Sequence, residues 1–127
     1  MADLIVTGST VIAPTLILGY ESSRPGGAIV HPIIGRPDPD VTLRPAGRRT
    51  GTLELLFAGE ELAANEAAAA AAEAAHATPA VFTLTSTDRP SLAMSYVVPA
   101  TGRIARQLDA ATRNAWTVRI DFHEVAP

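Results

Sequence analysis

No cysteine and no lysine occur in this chain of 127 residues. The first absence excludes disulfides and thiolate metal sites. The second leaves arginine and histidine as the only basic side chains and removes the lysine that a P-loop would extend to a phosphate. Together with abundant Ala, Gly, Pro and Arg, it indicates a GC-rich coding bias and nothing about chemistry. Aromatic residues are scarce, with a single Trp and with Tyr20 and Tyr96 standing alone. A carbohydrate binder would need more aromatic platforms than that. No apolar run is long enough to cross a bilayer, so no membrane partner is expected. The opening "MADLIVTGSTVIAPTLILG" has Asp3 where a secretion signal would carry basic residues. Gly8, Pro14 and Gly19 interrupt its apolar stretch, and no secretion signal is expected. A net charge of -3 argues against a protein whose main task is gripping phosphates.

Hydrophobic residues make up 47% of the chain and charged ones 18%, which excludes wholesale disorder. The length suits one domain, residues 1–127, with a real core. "LIVTGSTVIAPTLILGY" reads as one or two short strands. "RPGGAIVHPIIGRPDPDVTLRPAGRR" (24–49) holds prolines at 25, 32, 37, 39 and 45, which cannot donate ladder hydrogen bonds, so a regular central strand is not expected there. Its apolar Ile29, Val30, Ile33 and Ile34 leave two readings: a surface loop, or an extended arm that buries them on a neighbouring subunit. "TGTLELLF" (50–57) is a strand, with Leu53, Leu55 and Phe57 on one face.

An alanine-rich helix follows over about 60–77. Glu60 and Glu61 are placed in its first turn, His76 in its last turn where a cation is favoured, and Thr78-Pro79 at its end. Alanine is the best helix former, and this helix would be roughly 27 Å long. With Leu62 as its only large apolar side chain, it can serve as a thin layer lying close to a sheet or a neighbour. Period-two segments then return at "VFTLTS" (81–86), "LAMSYVV" (92–98), "RIARQL" (103–108) and "WTVRIDF" (116–122). Trp116, Val118, Ile120 and Phe122 are expected to share one apolar layer with Leu53, Leu55, Phe82 and Leu84. The order strands, helix, strands predicts an α+β or mainly β fold: a β-sandwich with one flanking helix.

The residues offer little chemistry. His31, His76 and His123 stand apart and form no metal-binding pair. Asp38 and Asp40 in "RPDPD" lack the glutamate an EF-hand loop would need. "SRPGGA" and "TGST" do not open a helix in a phosphate-binding pattern. No G-x-S-x-G elbow is present. Glu66 and Glu73 share a helix face, but an alanine wall supplies no cleft for acid-base work. Arg48 and Arg49 in "AGRR" could touch an acidic partner. No metal or cofactor is expected, and the chain is not expected to be an enzyme.

Three segments carry a resemblance: "RRTGTLELLFAGEELA", "PAVFTLTSTDRPSLAMSYVV" and "GRIARQLDAATRNAWTVRIDFHEV". Their succession, over about residues 48–126, resembles the minor tail proteins of bacteriophages infecting actinobacteria. The ending "TR-x-x-W-x-V-x-x-x-F-x-E-V" is its most specific part. The resemblance implies the tail-tube and distal-tail fold, a β-sandwich or split barrel with one flanking helix that forms rings around a channel. It implies a structural virion protein made in the host cytoplasm, with no catalytic residues. Its partners would be copies of itself in a ring (sixfold, or else threefold) and other tail proteins, with DNA passing the lumen without specific binding. Candidate interface residues are then Ile29, Val30, Ile33, Ile34, Arg48 and Arg49. The competing expectation is a soluble monomeric β-sandwich binding module, for example for carbohydrate.

Overall fold

The computed structural model describes residues 3–126. The fold is mainly β, with one helix. β1 (Asp3–Thr7) and β2 (Thr10–Ile12) form a tight hairpin whose two-residue turn uses Gly8 at φ +57°. Glycine adopts that conformation without a Cβ clash, and at the first turn position it suits the twist of a hairpin. β3 (Leu16–Ser23) pairs with β6 (Thr50–Phe57), with a register shift between Ile17 and Gly19. Between them lie β4 (Ile29–His31) and β5 (Asp40–Thr42), which form a separate two-stranded ribbon. After α1 (Leu62–His76) come β7 (Phe82–Ser86), a 3-10 turn at Pro90–Leu92, β8 (Met94–Val97), β9 (Ile104–Leu108) and β10 (Trp116–Val125).

The main sheet is antiparallel throughout, in the order β2-β1-β7-β8-β10-β6-β3. One edge of β10 is shared. β9 pairs with Trp116–Ile120 and β8 with His123–Val125, and Asp121 N–H bridges the gap by donating to Arg103 O at 3.0 Å. The two ends of the strand order, β2 and β3, are consecutive in sequence, joined by residues 13–15 alone. Four peptide steps reach at most about 14 Å. The sheet must therefore curl back on itself, and Thr15 secures the return. Its N–H donates to Leu56 O at 2.8 Å and its hydroxyl to Ala58 O at 2.9 Å.

Inside this curl lies one core, formed by Ile5, Ile12, Ile17, Leu53, Leu55, Phe57, Phe82, Leu84, Met94, Tyr96, Val118, Ile120 and Phe122. The alternation expected for β6, β7 and β10 is observed, with one exception. Trp116 is only half-buried at the rim, where the Arg106 guanidinium sits 4.9 Å from its ring. The helix touches β2, β6, β9 and β10 and buries Asn65, Ala69, Ala72 and His76.

Three expectations need correction. The N-terminal stretch holds three strands. The helix begins at Leu62, so Glu60 and Glu61 precede its first turn; they are exposed and Glu61 makes no side-chain cap. Residues 24–49 contain paired strands, because Pro32 and Pro39 fall just outside them, where no ladder bond is lost.

Candidate interface surfaces

The arm leaves the body where β3 and β6 end. Its neck is narrow: Gly47 N–H donates to Pro25 O at 2.8 Å, and a Cβ on Gly27 would run into the Pro45 and Arg44 carbonyls. The two chains cross there with no room for a side chain. Beyond the neck, Val30 stands opposite Val41, and Ile29 and His31 stand opposite Thr42 and Asp40. Every residue of β4 and β5 is exposed, so the body does not cover the ribbon.

Of the six residues singled out from sequence, Ile29 and Val30 lie on β4 and Ile34 is fully exposed in the tip loop, while Ile33 is half-buried. Period two across the ribbon also brings in residues that sequence reading missed. Ala28 and Leu43 flank the Val30–Val41 pair on one side, and Pro32 and Pro39 flank it on the other. One ribbon face is thus apolar along its whole length, and Leu43 is 84% exposed. The signal was present as alternation in "AIVHP" and "PDVTL", but it emerges only when the two segments are paired.

Arg48 and Arg49 diverge. Arg48 is exposed. Arg49 is turned inward, and its side chain and that of Glu124 are each 13% exposed. Arg49 Nε donates to Glu124 Oε1 at 3.2 Å and Nη2 to Oε2 at 3.0 Å. The remaining donors reach Tyr20 Oη at 3.2 Å, Ser91 O at 3.0 Å and Ala93 O at 3.0 Å. The backbone joins in: Arg49 N–H donates to Glu124 Oε1 and Glu124 N–H to Arg49 O. The paired guanidinium holds the Glu124 carboxyl down at about 2, and Glu124 in turn raises Arg49. The planar fork of arginine matches a carboxylate in this bidentate way. Arg49 therefore ties the arm's base to β10 and to the turn before β8.

The outward face of the main sheet falls into two halves. Over β3, β6, β10 and β9 it carries charge. Arg119 lies 3.7 Å from Glu54, and Asp121 accepts from Thr52 at 3.2 Å and from Arg103 N–H at 2.9 Å. Ala105, opposite Arg119, leaves a shallow depression among Arg103, Arg119 and Asp121. Over β2, β1, β7 and β8 the outward side chains of the strands are Val11, Leu4, Val6, Thr83, Thr85, Ser95 and Val97, and Arg48 and Glu124 border the depression that Thr83, Thr85 and Ser95 line.

The remaining histidines do not gather. His31 Nε2 lies 3.2 Å from Thr42 Oγ1 on the ribbon, and His123 is exposed. Among the described residues, no three His, Asp or Glu side chains come together as a metal-binding group, and no helix is long and apolar enough to cross a membrane. The chain matches no family model and no curated protein.

Proposed function

We propose that this chain is a ring-forming structural subunit of a bacteriophage tail, placed in the tube, the distal tail or the tip, around the channel that DNA passes. One observation carries the reading most. A curled β body holds out a narrow-necked arm with apolar residues that the body leaves uncovered. A two-stranded ribbon is marginal in water by itself. An arm built this way gains its cover from another copy, and head-to-tail contacts of that kind close into rings where the rotation between copies closes. The similarity of "TR-x-x-W-x-V-x-x-x-F-x-E-V" to phage minor tail proteins supports the same reading. The charged sheet face, with its arginines set among carboxylates, suits a channel wall that does not hold phosphates. Light scattering and electron micrographs of the purified protein test the proposal. Rings of one size are expected. A monomer that persists at high concentration would refute it.

A further inference from the structure

The sequence offers Arg48 and Arg49 together to an acidic partner, but the fold commits Arg49 to Glu124 and leaves Arg48 free. Arg48 has a setting of its own. The sheet puts Thr83, Ser95 and Val125 in one row across the outer face of β7, β8 and β10. Carrying the β6–β10 register two residues beyond the Thr50–His123 pair places Arg48 opposite Val125, at the end of that row. With Thr85 and Ala93 beside it, the row lines an open depression of about 340 Å³. Its polar groups have no partners. Among the described residues, the hydroxyls of Thr83, Thr85 and Ser95 make no hydrogen bond, and neither Arg48 nor Arg24 forms an ion pair. Ser95 is buried, at 8% exposure, and a buried hydroxyl is ordinarily paired. Glu124, at the rim, cannot serve Arg48, because both of its oxygens already accept from Arg49.

We infer that this depression binds a carboxylate carried by an acidic peptide segment, with Arg48 as the charged partner and the Thr83, Thr85 and Ser95 hydroxyls as neutral donors. The inference goes beyond the ring reading and holds for a single copy as well as for an assembled one. A guanidinium presents parallel N–H groups to a carboxylate, and a hydroxyl can turn its proton toward the same oxygens. The local field has the right sign. Arg24, Arg48 and Arg49 gather round the one carboxylate of Glu124, a net of +2; with the whole chain at -3, the remainder carries -5. Duplex DNA would bring many phosphates up against that remainder and be repelled by it, whereas a short acidic segment engages the site alone. Val125 and Ala93 add apolar flanks, which the methylenes of a glutamate can cover and a bare inorganic anion cannot.

The test uses the full chain and a dye-labelled peptide of alternating Glu and Gly, read by fluorescence polarisation. Wild-type protein should bind this peptide, more weakly as salt rises, and should not bind its Gln-for-Glu version. Arg48→Gln should lower the affinity about tenfold or more, and Thr85→Val, which keeps the shape and loses the hydroxyl, about threefold. Arg103→Gln, on the other half of the sheet, should leave it unchanged. All three positions are exposed, so circular dichroism should confirm the fold of each variant. No binding by the wild type, or equal losses in Arg48→Gln and Arg103→Gln, would overturn the site. Inorganic phosphate that competes as well as unlabelled peptide would make it a small-anion site and overturn the peptide as its ligand. Duplex DNA that displaces the peptide at lower concentration than unlabelled peptide does would overturn it in favour of nucleic acid.

Discussion

A histidine in the last turn of a helix reads as a cation favoured by the helix dipole, and His76 is the residue where that reading fails. It is 2% exposed. Its Nδ1–H donates to Ala72 O at 2.8 Å, its Nε2 accepts from Tyr96 Oη at 2.8 Å, and its ring stacks 4.3 Å from Phe82. This pattern uses both nitrogens of the neutral ring. Burial drives the His76 pKa below 6.5, against the smaller opposing effect of the Ala72 carbonyl, and burial raises that of Tyr96, which keeps its donating proton. The consequence for stability has a definite sign. Below pH 6.5 the unfolded chain takes up a proton that the folded one refuses, so stability falls as pH drops through that value. Denaturant midpoints should fall from about pH 7 to about pH 5 in the wild type. They should stay nearly flat over that range in His76→Phe, which keeps the stacking and loses the titration. A wild-type profile equally flat would contradict the neutral assignment. Glu124 adds a second decline at lower pH. Its depressed pKa contributes stability present in full above 4.5 and lost as pH falls toward about 2.

The Arg49–Glu124 pair acts at the same scale. Removing one partner of a well-buried pair strands the other and costs about 3 to 5 kcal/mol. Here the groups keep some exposure, so Arg49→Met should cost about 3 kcal/mol in urea unfolding, at the low end of that range. Arg49→Lys should recover only part, because an ammonium cannot reproduce the bidentate fork that also reaches Tyr20, Ser91 and Ala93.

The elements differ in how far their sequence spoke for them. β6, β7 and β10 follow a strict period of two, and each buried the expected face. Helix α1 follows from alanine propensity, yet its role emerges only in contact with the sheet. Ala69 and Ala72 are fully buried where the helix meets the sheet. Ala69→Leu should therefore cost about 1 to 3 kcal/mol by overpacking. Ala67→Leu, on the exposed side, should stay within about 0.5 kcal/mol. Thermal unfolding of the pair checks the orientation directly; equal losses would mean that the wrong face had been assigned.

The helix start was not legible. Asn65 donates to Gly59 O at 3.1 Å and to Asn114 Oδ1 at 2.8 Å, and Asn114 donates back to Gly59 O at 2.9 Å. Those partners lie up to 55 residues apart, as Arg49 and Glu124 lie 75 apart. Periodicity reports on neighbours along one strand or helix. It is silent on polar pairs that only the folded sheet brings together. The ribbon within the arm went unseen for a different reason: its prolines argued against a central strand, and a free ribbon is not one.

At the scale of the whole molecule, the proposed ring would divide the sheet face, the helix and the arm among different tasks. If the sheet lines the proposed ring and α1 lies at the outer flank or between subunits, the charged half of the sheet face is the part suited to the channel. Arg119 stands near Glu54 there, and Asp121 lies beside Arg103 and Arg119. Such a wall should not retain duplex DNA, because no cluster of unbalanced arginines releases counterions from the phosphates. The assembled wild-type protein is expected to leave the mobility of duplex DNA unchanged even at low salt. Glu54→Gln with Asp121→Asn removes two carboxylates from this face, leaving Glu21 against Arg103 and Arg119, and tips it toward positive charge. The double variant should retard DNA in a gel, and the effect should fade steeply as salt rises. Glu60→Gln with Glu66→Gln removes as many charges from around the exposed start of the helix, away from that wall. It should leave DNA mobility as it was, provided the protein still assembles. Retardation by the second variant and not the first would put the helix on the channel side and reverse the subunit's orientation in the ring.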